Sequence, residues 1–361
     1  MAALLDVHFA RFDDIGRRIA AALRDPAMDA ADGAPALEAR LRYLIEAGLD
    51  RLPFPGDGAT LTRWQALASV ARHDLALVKL FESHVDALAI LREVVPEHVV
   101  GPGSIHAVWA SEARADPVTI RAHAGALTAG QGMIDGRKSW CSGATVVDVA
   151  LMTAVDASGA RRLVEIDLAS PGITIDRSRW QAVGMAGSGS FDVVCDGVPA
   201  RLVGPVDGYL ERPGFWHGGA GVAACWHGAA AAIGTRVRDL QVGRDDVHAL
   251  AHLGAIDAAL ACGAALLRET AAAIDAAPAR DAMRIALRVR GAIADVCEVV
   301  IHHAGRAMGP GPLCQEADLA RRVADLPIFV RQSRAEHDRV AQARCLLADA
   351  AELREEGWEL R

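Results

Sequence analysis

What this 361-residue chain lacks already narrows its class. Its seven cysteines form no CxxC pair, and the number is odd. A disulfide framework is therefore not expected, and reduced thiols in the cytoplasm are. There is no excess of positive charge. The formal net charge is −8, so no global basic field invites nucleic acid or an anionic membrane surface. The N-terminal MAALLDVHFARFDDIG has acids among its apolar residues and no basic start, so it does not read as a signal peptide. No uninterrupted apolar run reaches the length of a membrane span; AGVAACWHGAAAAIG comes nearest, and it is short and carries a His. Repeats and low-complexity tails are absent. HGGAG has no G-x-S-x-G partner, which excludes the hydrolase elbow. GSGS at 187–190 precedes a strand pattern rather than a helix, so it is no phosphate loop.

What is present is an apolar chain with 52% hydrophobic residues, enough to bury a sizeable core. Its texture changes twice. Residues 1–103 show apolar residues at helical spacing, as in LEARLRYLIEAGLDRL and LTRWQALASVARHDLALVKLFESHVDALAILREV. From 104 to 206, short alternating runs are separated by turn residues such as DG, SPG and GSGS, the pattern of a β-barrel or sandwich. From 207 to 361 long Ala-rich helices return, and their small residues predict a closely packed bundle. The expected fold is α+β: an N-terminal helical domain, a central β-domain and a C-terminal helical bundle.

Two tracts of the middle zone are specific. DGRKSWCSGATVVDVALMTAV and GMAGSGSFDVVCDGVPARLVG, in this order and within a helix–β–helix chain, resemble the acyl-CoA dehydrogenase family. The resemblance implies a flavoprotein oxidoreductase that binds FAD. It places Trp140 against the isoalloxazine and Ser142 near flavin N5; an indole supplies a flat apolar wall and a hydroxyl can satisfy a ring nitrogen. An upstream motif maps onto VWASEARADP, with Ser111 and Glu112 in the first positions. Its Gly-Ser pair is missing, and Arg114 is the nearest substitute. The R-x-x-F-G motif that reaches the flavin pyrophosphate is also missing; Arg238 and Arg244 are the substitutes in RDLQVGRDDVHALAHLGAID.

The family's C-terminal motif maps onto GPGPLCQEADLARRVADLPIFVRQSRAEHD. Gly309 and Gly311 take its glycine positions and Asp325 its aspartate, and the usual catalytic glutamate falls on Ser333. A serine cannot abstract an unactivated α-proton at neutral pH. In the isovaleryl-CoA and long-chain types the base is instead the Glu of a Glu-Arg pair opening the first helix after the β-domain. YLERPGFWHGGAG matches that helix start, with Glu211 as base and Arg212 beside it. The resemblance then implies α,β-dehydrogenation of an acyl-CoA or other acyl thioester. The Ser333 backbone N–H would polarise the carbonyl, while Phe215 and Trp216 would wall the acyl pocket. Electrons would pass to an electron-transfer flavoprotein or similar acceptor, as in fatty acid metabolism, and the flavin site would lie in a homodimer or homotetramer.

Read from the residues alone, Glu211 is also a helix-end acid favoured by the helix dipole. His302 and His303 read as core or interface histidines, and Glu336, His337 and Asp338 as a solvated face or the edge of an oxygen-activating site. Two further readings therefore stand beside the dehydrogenase. One is a flavin-dependent monooxygenase on the same scaffold; the other is a flavin-free paralogue that serves as a binding or assembly partner.

Overall fold

A computed structural model describes residues 14–25, 34–111, 117–122 and 130–353. Four helices come first: α1 (Ile15–Ala22), α2 (Ala34–Glu46), α3 (Thr60–His73) and α4 (Leu75–Val94). Seven strands follow: β1 (His106–Trp109), β2 (Thr119–Ala122), β3 (Gln131–Cys141), β4 (Val149–Val155), β5 (Arg161–Asp167), β6 (Ile173–Asp176) and β7 (Phe191–Val203). The chain then returns to helix with α5 (Gly208–Glu211), α6 (Gly214–Gln241), α7 (Val247–Ala276), α8 (Met283–Met308), α9 (Pro310–Gln315), α10 (Ala317–Val330) and α11 (Ala335–Leu353). The helix–β–helix architecture is the one the sequence predicts.

The strands form one sheet in the order β1-β4-β2-β3-β7-β5, and β5 pairs back onto β4, so the sheet closes into a barrel. Its long ladders are antiparallel β3–β7 and β4–β5, with β6 paired to the N-terminal part of β7. Alternation does not hold everywhere. In β4 the five residues Ala150–Ala154 are all buried. The outer side of that strand is covered because Ala87, Ile90 and Leu91 of α4 pack on Leu151, Leu163 and Val203.

Helix α4 is thus the hub between barrel and bundle. Asp74 caps it, accepting from the Leu77 N–H at 2.7 Å. Its other neighbours include α3 and α6. The approach of α3 to α6 depends on Gly228: a Cβ there would lie 2.4 Å from the Ala68 carbonyl oxygen. One apolar core runs through all three zones, from Ile15 through Phe81 and Ile166 to Trp226 and Phe329. Among the described residues, α7 is the one helix long and apolar enough to cross a membrane by length and composition. It is nonetheless packed along α8 and α6.

Candidate active site

A cavity of about 430 Å³ opens where α4, α6 and α8 meet the turn before α11. Helix α4 supplies Lys79, Glu82 and Asp86, whose spacing puts them on one face of a helix that is otherwise apolar almost all round. Glu82 and Asp86 are 8% and 9% exposed. The Lys79 ammonium lies 3.5 Å from Glu82. Burial nevertheless raises the Glu82 carboxyl above its ordinary range, and the neighbouring Asp86 charge pushes the same way.

Helix α6 faces them with Gly218 and Gly219. A Cβ on Gly218 would come within 2.6 Å of Asp86 Oδ1, so the bare glycine leaves room for that carboxylate. Arg290 of α8 donates to the Gly219 carbonyl at 2.7 Å and stacks over Trp226, with its centre 5.2 Å from the ring centroid. Burial lowers its pKa. Arg212 donates to Glu93 at 2.8 Å and lies over the Tyr209 ring. Tyr209, Phe215 and Trp216 form a chain of edge-to-face contacts, with centroids 5.4 and 5.1 Å apart. Three buried polar atoms at this junction find no hydrogen-bond partner among the described residues: Asp86 Oδ1, Arg212 Nε and His217 Nε2.

The structure divides the predicted Glu-Arg pair. Arg212 is buried and lines the cavity with Phe215 and Trp216. Glu211 ends the four-residue α5, is exposed, and is not among the lining residues. Pro213 and an extended backbone at Arg212 break the helix between α5 and α6, so the two side chains leave in different directions. Ser333 is buried; its hydroxyl donates to Asp338 Oδ2 at 2.9 Å, and its flanking residues Gln332 and Arg334 line the cavity. Its backbone N–H donates to the Val330 carbonyl at 3.0 Å, so that group is already spent and does not polarise a substrate carbonyl. His337, 75% exposed, and Asp338 complete the rim.

The predicted flavin residues form a second locus, on the barrel. Trp140 sits at φ 65°, a left-handed conformation that is costly for a large side chain, by about 1–3 kcal/mol. A register shift in the β3–β7 ladder between Lys138 and Cys141 turns this ring outward. It is 64% exposed and meets Trp180 edge-on at 6.0 Å. Ser142 lies just beneath, in a buried hydroxyl chain: Ser142 to Ser190 at 2.8 Å, Ser190 to Ser188 at 2.8 Å, and Ser188 donating to the Met185 carbonyl at 2.8 Å. Asp325 of α10 anchors this turn by accepting from the Met185 N–H at 2.5 Å. Lys138, from the same strand, is buried and donates to Thr153 at 2.8 Å and to the Ser111 carbonyl at 3.1 Å.

These residues fit the ring part of a flavin. An outward indole in a strained backbone, with hydroxyls beneath it, is a ready wall for a planar heterocycle. The phosphate-binding residues are not assembled in the same way. Ser111 is exposed and contributes a carbonyl, while Glu112 and Arg114 lie outside the described residues. Gly309 ends α8 at φ 65° and Gly311 lies in α9; neither has anything within 4 Å of an added Cβ. Arg238 pairs with Asp239 at 2.8 Å, and Arg244 is exposed.

Sequence reasoning singled out Glu211 and passed over Lys79, Glu82, Asp86 and Arg290. The signal for the first three was present: three charges at i, i+3 and i+7 in a helix too apolar to face water. Arg290 had no such mark.

No protein-family profile matches the chain, and no curated protein sequence does. Solved structures match over almost its whole length. The FMN-bound dibenzothiophene monooxygenase TdsC of Paenibacillus sp. A11-2 superposes with a TM-score of 0.78 at 18% identity, covering 94% of this chain and 97% of that one. KijD3, in complex with FMN and a dTDP-linked amino keto sugar, gives 0.74 at 19% identity over 98% and 95%. A steroid ACAD gives 0.74 at 17% identity over 96% and 100%. The chain has the fold of the acyl-CoA dehydrogenase-type flavoproteins.

Proposed function

We propose that this protein is a flavin-dependent oxidoreductase, that its flavin is FMN, and that it works as a monooxygenase on a small organic molecule held in the cavity between α4, α6 and α8. The observation that carries this reading is the disposition of carboxylates. Neither position that would hold the base of an acyl-thioester dehydrogenase presents one to the cavity: residue 333 is a serine bonded to Asp338, and Glu211 faces solvent. The cavity carboxylates are instead Glu82 and Asp86 of α4 and Asp338 of α11. FMN is favoured over FAD because the wall for a flavin ring is built, whereas the motifs that would hold a pyrophosphate are absent. The likeness to TdsC and KijD3, both seen with FMN, points the same way.

When bound, reduced FMN would supply the electrons that activate O₂. The chain's own residues do the rest. Trp140, with Trp180 behind it, would hold the ring, and Ser142 would meet its polar edge. Tyr209, Phe215 and Trp216 exclude water from the substrate. Glu82, whose carboxyl is raised above its ordinary range by burial, is the cavity group placed to exchange a proton within the site. Arg212 and Arg290 fix the two sides of the cavity.

A second reading has its own support. Arg212, Phe215 and Trp216, which follow Glu211 in the chain, do line the cavity, as the FAD-dependent acyl-thioester dehydrogenase would require, with an electron-transfer flavoprotein as acceptor. Anaerobic mixing of the flavin-loaded protein with acyl-CoA thioesters separates the two. No bleaching of the flavin, together with consumption of a cavity ligand in air when reduced FMN is supplied, is the result expected here. Bleaching that Glu211→Gln abolishes would overturn it in favour of dehydrogenation. We place the protein in the cytoplasm as a homodimer or homotetramer, with its cysteines free.

A further inference from the structure

From the same cavity we infer the substrate class: a small primary amine with an aromatic or apolar body, its ammonium docked on Asp86. This rests on the reading of the cavity as the substrate site. Among the cavity's carboxylates, Asp86 stands apart. Glu82 has the Lys79 ammonium at 3.5 Å. Asp338 accepts from the Ser333 hydroxyl and the Arg334 N–H. Asp86 is 91% removed from solvent (9% exposed), lines the cavity, and makes no hydrogen bond among the described residues; its Oδ1 is fully buried and unpartnered.

The surrounding cations give it no hydrogen bond. Arg63, buried behind α4, acts on Asp86 through its charge, but its guanidinium donates to the Pro53 and Val85 carbonyls at 3.3 and 3.0 Å. Arg212 donates from Nη1 to Glu93, its Nε remaining without a partner among the described residues, and Arg290 is held by the Gly219 carbonyl and the Trp226 face. A buried carboxylate with no donor is costly, so the site calls for a ligand that brings one. A metal ion does not fit: no group of three ligating side chains is gathered among the described residues. A neutral donor would meet the hydrogen bond, but an ammonium makes the stronger, charge-assisted one, and its short apolar stem would enter the wall of Tyr209, Phe215 and Trp216, whose ring faces also favour a cation. The missing Cβ at Gly218 leaves the room that Asp86 Oδ1 occupies against α6.

The probes are 2-phenylethylamine, the uncharged 2-phenylethanol and the anionic phenylacetate. Binding is measured by calorimetry on the full chain, with and without FMN. The amine is expected to bind the wild type at least about tenfold more tightly than the alcohol, and Asp86→Asn is expected to erase that preference. The proposal is overturned if no probe binds at millimolar concentration, if the alcohol or phenylacetate binds as well as the amine, or if Asp86→Asn keeps the preference. Should Asp86→Asn fail to fold, the wild-type ranking of the three probes decides alone. Because binding is also read without FMN, failure here is distinct from failure of the flavin reading, which appears as loss of FMN binding with the amine preference intact.

Discussion

Gly218 and Gly219 are neighbours on one helix with opposite burdens. An added Cβ at 218 strikes Asp86 Oδ1 at 2.6 Å, whereas at 219 it meets nothing within 4 Å. Alanine is otherwise the better helix residue by up to about 1 kcal/mol. Gly219→Ala is therefore expected to raise stability by about 0.5–1 kcal/mol, and Gly218→Ala to lower it by about 1–3 kcal/mol through overpacking. Thermal denaturation of the two variants checks this; equal effects would mean that Asp86 has room to move. The same pair shows what sequence reading reaches at this scale. HGGAG is visible as a helix with unusual glycines, but its reason lies in a carboxylate 132 positions earlier in the chain, and only packing brings the two together. Glu211 shows the converse. Its motif is legible, yet Pro213 and the break after α5 decide where its side chain goes.

Between elements, Asp325 is the tie. It fastens α10 to the turn that carries the buried serine chain, and burial raises its carboxyl above the ordinary value. The folded state then holds its proton more tightly than the unfolded state does. Ionisation subtracts stability as pH rises through the folded pKa, and the penalty vanishes below the unfolded value near 3.8. Asp325→Asn keeps an acceptor for the Met185 N–H without the charge. It is expected to match or exceed wild-type stability at neutral pH, with the gain disappearing in acid. Asp325→Ala leaves the N–H unsatisfied and is expected to cost about 1–3 kcal/mol. Denaturation at several pH values separates these outcomes, and an Asn variant as weak as the Ala variant would contradict the account. At the N-terminus of α4, Asp74→Ala removes the cap on Leu77 and is expected to cost about 1 kcal/mol by the same measurement. The element pattern itself was largely legible, because helical and alternating periods reflect one-sided burial. It failed for β4, which is buried on both faces: α4 covers its outer side, a tertiary fact that no local period carries.

At the scale of the whole molecule, α7 leaves an apolar side bare. Its buried residues form a narrow stripe including Ile256, Gly263, Leu267 and Ile274, while Val247 and Leu250 are exposed. A second copy is the expected cover. Sedimentation at micromolar concentration should show a dimer or tetramer, and Leu250→Glu should shift it toward monomer; a wild-type monomer would contradict this. The order of helix, barrel and helix was legible because two changes of texture mark it within this chain, which is only 17–19% identical to the solved relatives. The choice of cofactor was not, since a missing pyrophosphate motif reads alike as a lost flavin or a smaller one. That choice is the account's central claim, and titration of the purified protein with FMN and with FAD, followed by flavin absorbance and fluorescence, tests it most directly. FMN should bind with a shifted spectrum and quenched fluorescence, more tightly than FAD, and Trp140→Ala should weaken it. Binding of neither flavin, or FAD bound more tightly than FMN, would contradict the account.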